Sequence, residues 1–206
     1  MFGGLICRPD GLIPSPVNVI LLQTTDSRSL ECGAFVKCEI HRKGIAMDFV
    51  TLLRRDHEKL SSIFHQIQRG FDQPDTPERH ELFRQLKREL ELHAAVEDLQ
   101  VYRVFQQAES THDDAHEALE AHGKIKTLLD QLENAPAYDH KWVPQFQELQ
   151  KLVETHVAAE ENEMFPKTEA IMTPQEAEEL GVAVESAKQA ISRNAPTTEG
   201  GTPEHN

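Results

Sequence analysis

Two stretches of the chain each place a histidine and a glutamate four residues apart within an apolar helical stripe. In the later stretch, reading back from His156 at intervals of three and four reaches only apolar side chains, and reading forward by four reaches Glu160. The earlier stretch repeats the pattern with His93 and Glu97. Residues one turn apart share a helix face, so all four polar groups should point into the core. A buried carboxylate needs a partner, which predicts a bound metal ion.

The chain also indicates an internal duplication. Each histidine and glutamate pair follows a helical segment with one histidine on its apolar stripe. DHEKLSSIFHQI, from Asp56, aligns with AHGKIKTLLDQL, from Ala121, so His57 corresponds to His122. The offset is 65 residues in the first helix of each half and 63 in the second. The sequence therefore predicts a duplicated helical hairpin whose halves each supply two imidazoles and one carboxylate.

The helical periodicity and the short connections predict an all-α fold. Four helices joined by short loops must run antiparallel, as an up-down four-helix bundle. Capping residues and prolines predict helices at about 48–70, 76–107, 110–133 and 173–192, and a fourth helix that starts between 138 and 144 and ends at 166. Pro166 is expected to close the fourth helix, and the fifth should pack on the bundle.

Three regions are expected along the chain. Residues 1–46 lack any regular periodicity and are predicted to be a poorly ordered extension; residues 47–170 form the bundle, and residues 171–206 a C-terminal helix with a disordered tail. Clean periodicity begins straight after Met47, which raises the hypothesis that Met47 is the true initiator. All three cysteines precede it. Thiolate metal sites in the bundle are therefore excluded.

Charge and hydropathy limit the partners. The formal net charge of -14 is the sum of -15 on residues 47–206 and +1 on residues 1–46. Nucleic acid and anionic membranes are poor partners for such a surface. No apolar run approaches the ~20 residues of a membrane span, and no secretion signal is recognisable, so a cytoplasmic protein is predicted.

The donor set is four imidazoles and two carboxylates without sulfur. Such a set suits iron, manganese or zinc, and two histidines with one carboxylate per metal leave coordination positions open. The duplication favours two metals, with each glutamate able to span both. Two open, redox-active irons would take O2, H2O2 or NO as exogenous partners. His116 falls about 120° off the stripe that carries His122, at about 100° per residue, and is predicted to be a bystander.

The segments LLRRDHEKL, HAAVE, EAHGKIKTLLDQLE and HVAAEENEMFP, over residues 48–170, resemble the hemerythrin family, specifically its HHE cation-binding domains. The resemblance implies two non-haem iron ions, bridged by an oxo or hydroxo group, in a four-helix bundle. It implies these ligands: His57, His93, Glu97, His122, His156 and Glu160. It also implies reversible oxygen binding, iron or oxygen sensing, or peroxide decomposition.

The sequence departs from the oxygen-carrying hemerythrins at two points. Those proteins place a second histidine one turn from the first on the third helix; here Ala118 occupies the preceding turn and Lys126 the following one. They also place the last carboxylate five residues after its histidine, which would select Glu161; the HHE spacing of four selects Glu160, which continues the stripe. Tyr102, five residues past Glu97, is either a phenolate ligand or a packing residue with a hydrogen-bonded hydroxyl. The missing histidine favours sensing or redox chemistry over oxygen carriage.

Three functions remain open from the sequence. The first is a di-iron protein that reacts with oxygen species, with catalase-like or peroxidase-like activity as the enzymatic form. The second is a non-enzymatic module that binds iron or oxygen and depends on the metal for folding. The third is a metal-free helical interaction protein whose inward histidines are hydrogen-bonded.

Overall fold

The structure is a computed structural model that describes residues 47–72, 76–135 and 141–194. Every regular element in these ranges is helical, which confirms the all-α prediction. The α-helices are α1 (Phe49–Gln68), α2 (Pro77–Val96), α3 (Tyr102–Phe105), α4 (His112–Asn134), α5 (Trp142–Ala159), α6 (Thr168–Ile171) and α7 (Pro174–Asn194). The predicted disorder of the extension and of the tail lies outside the described residues. None of the described helices is long and apolar enough to cross a membrane.

Three helix starts follow the predicted capping chemistry. Asp48 accepts a hydrogen bond from the backbone N–H of Thr51 at 2.9 Å, and Thr76 precedes α2 with a proline in its first turn. Before α7, the Thr173 backbone N–H donates to a Glu176 carboxylate oxygen at 2.8 Å, and the Glu176 N–H donates back to the threonine hydroxyl at 3.3 Å. This reciprocal pair is the predicted capping box.

Two helix boundaries differ from the prediction. The second helix does not continue in α geometry to Gln107, because a π-helical turn at Glu97–Val101 joins α2 to α3. Pro166 does not close the fourth helix. A second π turn, Glu160–Met164, leads into a 3-10 turn, Phe165–Lys167, which continues into α6. Near the start of a turn, the missing N–H of proline removes little hydrogen bonding, so the chain continues past it.

The cap predicted before α4 also differs. Thr111 occupies the cap position without a side-chain bond to the first turn. Its hydroxyl instead donates to the backbone carbonyl oxygen of Phe105 at 2.7 Å. That bond satisfies a carbonyl at the end of α3 and fixes the short connection between α3 and α4.

The apolar core consists of two clusters with a polar layer between them. On α1, Leu53 belongs to the first cluster and Leu60 to the second, while the buried His57 lies between them. The first cluster gathers α3, α7 and the N-terminal end of α1, and the second fills the other end of the bundle around Trp142 and Phe146. The polar layer is where the predicted metal site should lie.

The helix predicted from the sequence as the fifth is α7, which packs against α1, α2 and the first π turn. Its predicted apolar face is buried at Ala177, Leu180 and Val184. Gly181 allows the closest approach. A Cβ atom added there would overlap the backbone carbonyl oxygen of Met47 and would lie 3.1 Å from the Phe49 nitrogen.

We expect Gly181→Ala to destabilise the fold by about 1–3 kcal/mol, because the added methyl group must push α7 away from backbone atoms that have no room to move. Urea unfolding followed by circular dichroism measures this. Gly123→Ala is the matched control, since a Cβ at that helical position meets no atom within 4 Å. The control should be neutral or stabilising by up to about 1 kcal/mol; equal effects from the two substitutions would contradict the prediction.

Candidate metal centre

The six side chains singled out from the sequence meet in the polar layer. Each is at most 6% exposed. Their candidate donor atoms form two groups that share one glutamate, and within each group all atoms lie within 4.8 Å of one another. The first group is His57, His93, Glu97 and Glu160, and the second is Glu97, His122 and His156.

The Nε2 atoms of the imidazoles face the carboxylates. His93 Nε2 and His122 Nε2 lie 3.2 Å and 3.3 Å from the same Glu97 oxygen, Oε2. His57 Nε2 lies 3.2 Å from Glu160 Oε2. His122 Nε2 and His156 Nε2 lie 3.0 Å apart. Side chains from four helices thus converge on one small volume.

Both glutamates stand at the first residue of a π turn. The wider turn is closed by bonds from residue i+5 to residue i: the Tyr102 N–H donates to the Glu97 carbonyl oxygen, and the Phe165 N–H donates to that of Glu160. The duplication therefore extends to the backbone. Inserted π turns are frequent at functional sites, because the extra residue redirects the side chains that follow.

Several buried atoms in this layer lack a hydrogen-bond partner among the described residues. They are His57 Nε2, both ring nitrogens of His93, Glu97 Oε1 and Glu160 Oε2. Buried polar groups without partners are costly, and a cation among them would satisfy imidazole nitrogens and carboxylate oxygens together. The donor chemistry, nitrogen and oxygen without sulfur, fits iron, manganese or zinc.

The outer nitrogens of three histidines face a second set of carboxylates. His57 Nδ1 lies 2.7 Å from Glu161 Oε1, and His122 Nδ1 lies 2.7 Å from Asp98 Oδ1. His93 Nδ1 lies farther from its carboxylate, at 3.5 Å from Asp56 Oδ2. Such partners fix the tautomer and orientation of a metal-binding imidazole. The sequence favoured Glu160 over Glu161 as the ligand. The structure places Glu160 inside, whereas Glu161 is partly exposed and contacts the outer edge of His57.

Tyr102 lies within the polar layer and donates a hydrogen bond. Its hydroxyl lies 2.5 Å from Glu160 Oε1 and 3.3 Å from Glu97 Oε2, and the side chain is fully buried. Burial, together with the charges of the two glutamates, raises the pKa of Tyr102 well above its usual value. The hydroxyl is thus held protonated, as the hydrogen-bonded alternative from the sequence requires.

The carboxylates and imidazoles of the layer shift one another's pKa values. Burial lowers the pKa of His57 and of His122, but the adjoining carboxylates outweigh it and raise the values to about 9 and about 10. Burial also lowers the pKa of His156, and there it prevails. The pKa of Glu160 falls to about 2 because the surrounding imidazoles outweigh its burial. Protonated imidazoles therefore carry the positive charge that a metal ion would otherwise supply.

The other described histidines stay out of the layer. His116 is exposed, with its Nδ1 atom 3.7 Å from a Glu120 oxygen, and His112 is also at the surface. Of the two positions one turn from His122 on α4, Ala118 is buried and offers no donor, and Lys126 is exposed. The sequence analysis missed Asp98 and Asp56; the available signal is that each adjoins a candidate ligand.

Comparisons with known proteins agree with this geometry. Uncharacterized proteins of Mycobacterium bovis (Mb2666c) and Mycobacterium tuberculosis (Rv2633c) are each 29% identical over 140 residues, which cover 66% of this chain and 81% of the relative. A crystal structure of a hemerythrin HHE cation binding domain-containing protein, the Rv2633c homolog from Mycobacterium kansasii, superposes with a TM-score of 0.62 at 23% identity, over 74% of this chain and 94% of that one.

The likeness to that structure supports the fold. The family model for the hemerythrin HHE cation binding domain matches residues 48–168, more than half of the chain and all six candidate ligands. The chain therefore belongs to the hemerythrin HHE cation-binding domain family.

Proposed function

We propose that the polar layer holds two non-haem iron ions bridged by an oxo or hydroxo group. The observation that carries the proposal is the pair of donor groups that share Glu97 and leave buried nitrogen and oxygen atoms without partners. Four histidines and two glutamates divide naturally between two ions, with the glutamates able to span both. Bound iron would supply Lewis acidity and one-electron chemistry.

We propose further that the centre binds or reacts with small oxygen or nitrogen species, namely H2O2, O2 or NO. A cavity of about 160 Å³ between α4 and α5 reaches His156 and Glu160, and two small side chains, Ala118 and Ala121, line it. Its size suits a small molecule. The group with only three donors, at His122 and His156, leaves the most room for an exogenous ligand.

Among these species, peroxide is the proposed substrate of an enzymatic function. Disproportionation converts two peroxide molecules into one dioxygen and two waters, so one peroxide is oxidised and the other is reduced. Tyr102 keeps a protonated hydroxyl beside both glutamates, which supports proton exchange at this place. The same centre without turnover would be an iron or oxygen binding module.

Iron analysis tests the metal assignment. We expect about two irons per chain and oxo-bridge absorption in the visible and near-ultraviolet spectrum. His93→Ala should lose at least one iron, whereas His116→Ala, which changes a histidine 64% exposed at its side chain, should retain both. Protein from iron-rich medium that holds no stoichiometric metal would refute the proposal and favour the metal-free interaction protein.

Oxygen evolution tests the enzymatic form. We expect iron-loaded protein to release dioxygen steadily from added peroxide, and His93→Ala to lose this activity while His116→Ala keeps it. An oxygen electrode records the rate. Full iron loading with no steady oxygen evolution would assign the non-enzymatic binding module instead, provided the stripped protein also melts at a much lower temperature.

The raised pKa values predict the pH dependence of the metal-stripped protein. The pKa of His57 is about 9 and that of His122 about 10, against about 6.5 in an unfolded chain. Raised values stabilise the fold fully below about pH 6.5, and this stabilisation is lost as the pH passes through the folded-state values.

We therefore expect the melting temperature of the stripped protein to fall between about pH 7 and about pH 10. Iron replaces these protons, so the gap in melting temperature between loaded and stripped protein should widen over the same range. Calorimetry of both forms measures this. A stripped protein that melts at a constant or rising temperature across the range would show that these imidazoles carry no such protons.

A further inference from the structure

We propose that α7 belongs to the metal centre and makes its two halves unequal. On this view, Lys188 of α7 holds Asp56 against His93, so that the metal held by the His57 and His93 half is retained longer than the metal held by the other half. The inference rests on the proposed di-iron function.

The first observation is a chain of contacts from α7 to a candidate ligand. Lys188 Nζ forms an ion pair with Asp56 Oδ2, and the same oxygen lies 3.5 Å from His93 Nδ1. Both members of the ion pair are largely buried, with 21% and 25% of their side chains exposed. A partly buried ion pair fixes the carboxylate in one orientation, which a free surface aspartate would not keep.

The second observation is that the duplication breaks at this position. Asp56 precedes His57, and the equivalent residue before His122 is Ala121. Alanine carries no carboxylate, so His156, the counterpart of His93, has no equivalent of Asp56. By contrast, His57 and His122 both keep a carboxylate on the outer nitrogen, at 2.7 Å. Among the carboxylates that face the outer nitrogens, the halves thus differ at one pair of positions.

The third observation is the unequal donor count. The donor group around His57 and His93 contains two histidines and two glutamates, whereas the group around His122 and His156 contains two histidines and one glutamate. The half with more donors is also the half with the supported His93. Both differences act in the same direction, since a carboxylate that orients an imidazole strengthens its bond to a metal.

The fifth helix is an addition to the ligand-bearing bundle. The family match ends at residue 168, and α7 begins at Pro174. Lys188 lies one helical turn beyond the buried Val184, so the apolar face that docks α7 also brings the ammonium group to Asp56. Docking through Gly181 thus sets the position of Lys188.

Release of iron to a ferrous chelator under reducing conditions tests the inference on the full chain. We expect the wild type to release its two irons in two phases of one iron each. Asp56→Ala should accelerate the slow phase about tenfold or more, with Asp56→Asn intermediate because the amide keeps an acceptor oxygen. Lys188→Met should accelerate the same phase by a smaller factor.

Lys59→Met is the matched control. Lys59 lines a small cavity together with Asp56 and Lys188, but it pairs with Glu89 at 2.5 Å and is 51% exposed at its side chain. Its loss removes an equal charge nearby without touching Asp56, and both release phases should stay unchanged. Circular dichroism checks that every variant folds. If Asp56→Ala does not fold, Asp56→Asn and Lys188→Met still test the inference.

Two results would overturn the inference. Equal release of two irons in one phase would show that the halves are equivalent. If Asp56→Asn and Lys188→Met accelerate the fast phase, or neither phase, then α7 does not act on the metal that is retained longer. Both leave the di-iron proposal standing, whereas protein without any bound iron would remove that proposal itself.

Discussion

The structure depends on the compensation of charge within its core. Two glutamates and four imidazoles occupy a layer that is almost closed to water, where an unpaired carboxylate is among the costliest groups to bury. In the metal-free chain, protons on His57 and His122 and a hydrogen bond from Tyr102 supply part of the compensation. The unsatisfied nitrogens and oxygens that remain indicate how much is left for a cation.

The sequence predicted the residues that gather in the layer because helical periodicity is a direct consequence of backbone geometry. A histidine on an apolar stripe must point inward wherever its helix packs, so His122 could be separated from His116 without a structure. The capping residues were equally readable, since Asp48 and Thr76 act within their own first turn. These predictions use only interactions between residues close together in the chain.

The parts that could not be predicted depend on contacts between distant elements. No residue type favours a π turn strongly enough to predict one from the sequence. The first π turn appears there only as a change in the spacing of the apolar stripe, at Val101 and Tyr102. Whether Glu161 points inward or contacts the outer nitrogen of His57 depends on how α1 and α5 pack. The link from Lys188 to Asp56 spans 132 residues. The prediction that Pro166 closes the fourth helix was wrong because proline is tolerated at the start of a new turn.

The duplication is retained in the geometry and lost in some of the chemistry. Phe165 stacks on His57 with ring planes 2° apart, and its counterpart Tyr102 packs at a tilt against His122. Only the tyrosine carries a hydroxyl, which reaches both glutamates. Two similar halves have thus kept one backbone plan while their side chains diverged, which is how a symmetric scaffold can hold two ions in different environments.

The division of the core into two apolar clusters bears on how the protein melts. On α1, neither cluster extends across the polar layer. The two ends of the bundle are therefore connected through buried polar and charged groups, which are unfavourable there without partners. Ions bound in the layer would link the four ligand-bearing helices, α1, α2, α4 and α5. In the metal-loaded protein the two ends would then unfold as one cooperative unit. In the metal-free protein each end could unfold locally without the other.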